Sequence, residues 1–311
     1  MGSTPEAPLD GKICVVTGAT SGIGLATARG LARLGGTVVL AGRDERRCAR
    51  AAARLRGEIP AARLETVVAD LSSQAEVRRM CLEVARRHPR VDVLVQNAGA
   101  RFVDRRLSAD GVEMTFALNH LAVFASTLLL LPRLRAGPAA RVVVVSSDAH
   151  EGWTLDLDDL QGERGYERMR AYCRSKLANL LFTFALARRL SGSTVTVNAL
   201  HPGTVATNLG SEAGWLRVRL RNLLKRSLLA PEQGARTSLY LATSPEVAGV
   251  SGRYFDDRAE VPSSPASRDE ALAEGLWRRS EELTGLRWED LAAAGTAAPL
   301  PRSWRCGAEG R

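Results

Sequence analysis

Lysine is almost missing from this sequence: Lys12, Lys176 and Lys225 stand among 43 basic residues, and the other 40 are arginines. Cysteine is scarce as well. Cys14, Cys48, Cys81, Cys173 and Cys306 are odd in number, widely spaced and form no CxxC or Cys/His cluster. That pattern excludes a disulfide framework and a zinc site, and no metal is expected. Aromatic residues make up only 5% of the chain, too few to supply the stacking platforms of a single-strand nucleic-acid groove. No apolar run approaches the ~18–20 residues of a spanning helix. The longest, Leu121 to Leu131, carries the pattern of a buried helix. Met1 to Asp10 is polar and contains proline, unlike a secretory leader. A cytoplasmic, reduced protein without an integral membrane anchor is therefore expected.

What is present is an ordinary globular composition, with 311 residues, 45% hydrophobic and 25% charged. The net charge of +9 raises nucleic acid or an anionic membrane as partners. Arginines are interleaved with acids, as in Asp44-Glu45-Arg46-Arg47, so the surplus reads as solvated surface and no nucleic-acid partner is expected. Short β-branched runs alternate with amphipathic stretches. Strands are predicted at Ile13–Val16, Val38–Leu40, Val67–Ala69, Val91–Val95, Val142–Val145 and Val195–Ala199. Helices are predicted at Ile23–Leu34, Glu45–Arg56, Gln74–Arg87, Gly111–Leu134 and Ala171–Leu190. The strands are continuously apolar rather than alternating, as in a sheet covered on both faces. Alternation at this spacing implies an α/β fold, a doubly wound parallel β-sheet of the Rossmann type. One domain is expected over 1–291, and 292–311, rich in Ala, Gly and Pro, is expected to be a flexible tail.

After the first strand comes Thr17-Gly18-Ala19-Thr20-Ser21-Gly22-Ile23-Gly24. Glycines at a strand-to-helix turn let the backbone bend and approach a ligand, and the helix N-terminus presents free N–H groups to a pyrophosphate. A glycine-rich turn alone is weak, but its place after the first strand and before a helix is the context that dinucleotide binding requires. The end of the second strand speaks to the ribose. An acid there suits a 2′-hydroxyl, whereas this chain has Gly42 and then Arg43, a base suited to a 2′-phosphate. NADP(H) is therefore expected over NAD(H), with Asp44 read as the N-cap of the next helix.

These motifs resemble the short-chain dehydrogenase/reductase family. Gly18, Gly22 and Gly24 match its glycine spacing, and Asp70 with Leu71 its adenine contact. Asn97-Ala98-Gly99 matches its Asn-Ala-Gly element, although Gln96 stands where Asn is commoner. Asn119, Ser147, Tyr172 with Lys176, and Pro202-Gly203 with Val205 and Thr207 follow in order. The resemblance implies catalytic Asn119, Ser147, Tyr172 and Lys176, cofactor contacts along the rest, and a homo-oligomer. It places the active serine second, at Ser147 rather than Ser146, and gives Asn119 a water that links Lys176 to solvent.

The residues also argue for themselves. Tyr172 and Lys176 lie four apart on a predicted helix and share a face. An ammonium nearby favours the phenolate and draws down a phenol that ordinarily titrates at about 10. Tyr172 would then exchange a proton with a carbonyl or alcohol oxygen that Ser147 also holds. Lysine at 176 in so arginine-rich a chain points the same way. Cys173 has no partnered base and reads as core or cleft lining, and His120, His150 and His201 as structural or substrate-lining. The spacing from Ser147 to Tyr172, Ser-Ser-Asp-Ala-His, and Tyr-Cys-Arg-Ser-Lys-Leu-Ala-Asn resemble the retinol dehydrogenase-like branch, which implies a lipophilic small-molecule substrate. The segment 208–230, with Trp215, reads as an amphipathic lid, a membrane-surface helix or a helix packed on the core. Trp153 and Met169 are placed on the opposite wall. The expected activity is carbonyl–alcohol interconversion; the rival is a non-catalytic NADPH sensor.

Overall fold

A computed structural model describes residues 8–203 and 229–293. The first half alternates as predicted: β1 (Ile13–Thr17), α1 (Gly22–Arg33), β2 (Thr37–Gly42), α2 (Glu45–Glu58), β3 (Arg63–Val68), α3 (Gln74–Arg87) and β4 (Val93–Gln96). Then come α4 (Met114–Arg135), β5 (Ala140–Val145), α5 (Arg168–Arg189) and β6 (Val195–His201). Beyond the predicted elements lie α6 (Pro231–Thr243), β7 (Tyr254–Asp256), β8 (Ala259–Glu260), α7 (Glu270–Thr284) and α8 (Trp288–Ala293).

The eight strands form one sheet in the order β3-β2-β1-β4-β5-β6-β7-β8, parallel throughout except for the final β7–β8 pair. Strand order reverses beside β1, so the loops after β1 and β4 open together at the carboxyl edge. Both faces are covered. Val15, Leu94, Val142 and Val197 join the core beneath α3, α4 and α5, while Val16, Leu40, Val95 and Val143 join that beneath α1 and α2. This is why the strands read as unbroken apolar runs.

Local chemistry sets the helix ends. Asp44 accepts from Arg47 N at the start of α2, as expected of an N-cap, Ser73 does the same for α3, and Glu167 caps α5. The helix predicted from Gly111 begins at Met114 instead, because both oxygens of buried Glu113 accept the N–H groups of Thr115 and Phe116 at 2.8 Å. Its second turn, Ala117–Leu121, is π-helical. By length and composition α4 could cross a membrane, but most of its apolar stretch is buried inside the fold.

Candidate active site

The turn after β1 is built as a cradle. Gly18 sits at φ +67°, the left-handed region that other residues enter at a cost. A Cβ on Gly24 would run into the Asn97 amide and the Gly18 carbonyl oxygen. Asn97 Nδ2 donates to Thr17 O at 2.9 Å, and the N–H groups of Asn97 and Ala98 donate to Thr17 Oγ1 at 2.9 and 3.0 Å. Asn97 and Ala98 thus hold the turn's shape. Gln96 is buried and donates to Ser126 Oγ and Thr127 Oγ1 at 2.7 and 3.0 Å, tying the end of β4 to α4. The first turn of α1 contains no acid and Ser21 makes no side-chain cap, whereas α2 and α3 have a cap and an acid. An uncapped helix start facing a glycine cradle fits a pyrophosphate.

Arg43 is exposed just past β2, and Thr20 packs on Gly42, where a Cβ would lie 2.6 Å from its methyl group. A second guanidinium reaches this corner that the sequence reading had not singled out: Arg47 Nη2 donates to Ser21 Oγ at 3.3 Å. It sits one helical turn after Arg43, a spacing that could have revealed it. Asp70 is exposed beyond β3, and one carboxylate oxygen takes the Ser72 N–H and hydroxyl at 3.0 and 2.7 Å. Leu71 is buried in the core and Ile23 packs with Ala26 and Ala235.

Asn119, Ser147, Tyr172 and Lys176 come together at the carboxyl edge. Asn119 lies in the π turn of α4, a distortion common at functional sites. Its Nδ2 donates to Ala100 O at 2.9 Å and Ser175 Oγ at 3.0 Å, and its Oδ1 accepts Ala100 N at 2.9 Å. Both amide hydrogens are spent, leaving lone-pair capacity on Oδ1. A Cβ on Gly99 would lie 3.3 Å from that oxygen and 3.6 Å from Lys176 Nζ, so the two atoms face one point. Lys176 is buried and donates to Val145 O at 3.0 Å, with Nζ 5.6 Å from the Tyr172 ring centre. The two serines have different partners. Ser146 Oγ donates to Lys176 O at 2.8 Å, within the scaffold, while Ser147 Oγ donates to Asp148 Oδ1 at 2.9 Å.

The electrostatics correct one expectation. Lys176 was to draw the Tyr172 phenol down; instead burial pushes it up to about 12, opposed mainly by the Arg101 guanidinium. Burial also brings the Lys176 amine down to about 8. In both cases withdrawal from water disfavours the charged form. Arg101, which the sequence reading missed, lies with its guanidinium carbon 5.9 Å from the Tyr172 ring centre. It follows Asn97-Ala98-Gly99-Ala100 directly, the loop that the fold brings to the site.

Three histidines near the site make internal hydrogen bonds. His150 accepts the Ser264 N–H at Nε2 (3.1 Å), so Nδ1 donates to Ser147 O (2.7 Å) and clamps the serine loop. His201 Nδ1 accepts Asp148 N at 3.1 Å, and His120 is fully buried against Ser280 of α7 at 2.9 Å. Burial pushes the Cys173 thiol up, away from the reactive thiolate, in keeping with a lining role. Met169 is exposed, with Sδ 3.1 Å from Arg101 Nη1, and Trp153 is half-buried in the segment before α5. Pro202 and Gly203 follow β6, and Gly203 lies so close to Leu229 that a Cβ would overlap it. Val205, Thr207, Trp215, nearly all of the expected lid and residues 294–311 lie outside the described residues.

Comparison with known proteins shows the family. The short chain dehydrogenase family matches residues 12–214. Human retinol dehydrogenase 14 is 45% identical over 294 residues, covering 89% of this chain and 88% of the relative. Among solved structures, an uncharacterised protein from Mycobacterium paratuberculosis superposes with a TM-score of 0.74 at 36% identity, covering 90% of this chain and 96% of that one. Pseudomonas aeruginosa RhlG, in an NADP active-site complex, gives 0.65 at 28% identity over 81% of this chain and 97% of that one.

Proposed function

The chain belongs to the short-chain dehydrogenase family and is retinol dehydrogenase-like, and from that premise we propose that it is an NADP(H)-dependent oxidoreductase interconverting a carbonyl and an alcohol on a lipophilic small molecule. The convergence of Tyr172, Ser147, Lys176 and Asn119 at the carboxyl edge beside the glycine cradle is the observation that carries this reading. The turn fits a dinucleotide: a Cβ at Gly18 would strike Ala98 and one at Gly24 would strike Asn97, so glycine alone lets the backbone turn this tightly, and α1 presents an uncapped, acid-free start. A nicotinamide dinucleotide held by the glycine turn after β1 and by Asn97-Ala98-Gly99 would supply the hydride chemistry when bound.

The chain supplies the rest. Tyr172 and Ser147 hold the substrate oxygen, and Tyr172 gives it a proton in reduction or takes one in oxidation. Lys176, anchored on Val145 O, places a cation beside the phenol. Asn119 Oδ1 faces the same amine and fixes the loop that closes the site through Ala100. Arg43, with Arg47 on the neighbouring turn, offers the adenosine end two guanidinium groups suited to a 2′-phosphate. A lipophilic substrate is supported by the likeness to a retinol dehydrogenase.

A panel of ketones, aldehydes and alcohols, followed at the nicotinamide absorbance with both cofactors, tests the reading. Turnover with NADPH, strongest on long apolar substrates, is expected. Faster turnover with NADH would remove the Arg43 assignment, and cofactor binding without turnover on any substrate would leave a sensor instead.

A further inference from the structure

Ser147 is to hold a substrate oxygen, yet its hydrogen is already placed elsewhere. The hydroxyl donates to Asp148 Oδ1 at 2.9 Å, and its oxygen accepts the Ala149 N–H at 3.1 Å. A serine hydroxyl has one hydrogen and two lone pairs. What remains is a single lone pair, which matches the O–H of an alcohol and opposes the lone pairs of a carbonyl.

The backbone of both residues is pinned. His150 Nδ1 donates to Ser147 O at 2.7 Å while its Nε2 accepts Ser264 N at 3.1 Å, and His201 Nδ1 accepts Asp148 N at 3.1 Å. The same His201 nitrogen lies 3.4 Å from Asp148 Oδ1, but while it accepts an N–H it has no hydrogen to give the carboxylate. Among the described residues no arginine or lysine forms an ion pair with Asp148. Its side chain is 63% exposed, so water reaches the carboxylate and no packing depends on it.

We propose that Asp148 is a positioning residue that sets the polarity of Ser147: it holds the serine hydrogen, so that the resting site favours an alcohol and a carbonyl must draw that hydrogen away. A hydrogen bond to a carboxylate is stronger than one to a neutral carbonyl, by a margin that corresponds to about five- to tenfold in binding. The inference rests on the proposed carbonyl–alcohol activity and names the residue that discriminates between its two partners at the substrate oxygen.

Asp148→Ala frees the hydroxyl and keeps the backbone N–H that His201 accepts. With a ketone and its matched alcohol, the variant should lower the ketone KM about five- to tenfold, change kcat less than about twofold, and leave the alcohol KM no lower. In a Ser147→Ala background, read from residual turnover, the same change should alter the ketone KM less than about twofold, because the disputed hydrogen is gone. A second readout needs no turnover. Ser147→Cys puts a thiol at the same point of the full chain, and adding Asp148→Ala should speed its labelling by iodoacetamide, followed by peptide mass, about tenfold as the opposing charge is removed. An unchanged ketone KM in Asp148→Ala, an equal fall for ketone and alcohol, a gain that persists without Ser147, or labelling indifferent to Asp148 each overturns the inference. Faster labelling in a protein that turns over no carbonyl or alcohol would instead overturn the proposed function and leave the hold of Asp148 on position 147 intact.

Discussion

His120 should make the fold sensitive to acid. It stands one residue after Asn119, is fully buried, and binds Ser280 of α7 at 2.9 Å. Phe116, Phe124 and Phe182 surround it, with ring centres at 5.0, 6.5 and 6.3 Å. Burial lowers its pKa from 6.5 to about 4. The unfolded chain therefore binds the proton first, and stability falls as pH drops from the unfolded value towards the folded one. The contribution is fully present above about pH 6.5, and about 3 kcal/mol is lost by the time both states are protonated. About 2 kcal/mol of that loss falls between pH 7 and 5. Urea unfolding at pH 7 and pH 5 measures it. His120→Gln, which can still bond Ser280 but does not titrate, should be less stable at pH 7 yet lose about 2 kcal/mol less on acidification. Equal losses in the two proteins would show that His120 is not held neutral by burial, and the reasoning would fail.

Two further predictions follow from the site. Arg43→Ala should weaken NADPH binding by about tenfold or more, the worth of one charge-assisted contact, and leave NADH binding almost unchanged; equilibrium fluorescence titration with each cofactor reads this. Lys176→Met should abolish turnover while raising the midpoint of thermal unfolding at pH 7. The buried amine carries a folded-state pKa of about 8 against 10.5, so its charge opposes folding below pH 8, and that cost fades as pH rises through the interval. The variant's advantage should therefore shrink between pH 8 and 10.

Much of this was legible from the residues. The strand runs are buried on both faces, so their apolar continuity marked a parallel sheet, and the Asp44 cap showed in a sequence that had to end one strand and begin a helix. Tyr172 and Lys176 were singled out by the family resemblance, and their spacing of four placed them on one face of a helix. The last two strands of the sheet were not found. β7 and β8 are only three and two residues long, and their pairing with β6 and with each other is set by tertiary contact rather than by pattern. The π turn at Asn119 left no mark either, since it depends on Ala100 and Ser175 from distant elements. Arg101 looked like one arginine among many until the loop placed it over the tyrosine ring. The sign of the Tyr172 shift was missed for a related reason: a helix wheel shows which cation is near, and burial shows only in the packed fold.

The most direct test of the central claim uses Tyr172→Phe, which removes one oxygen and leaves the ring in place. NADPH affinity and carbonyl reduction should be measured side by side on the full chain. The account predicts unchanged NADPH affinity together with a loss of turnover of at least about a hundredfold, the scale of general acid–base catalysis. Turnover within a fewfold of the parent protein would contradict the assignment of Tyr172 as the proton donor.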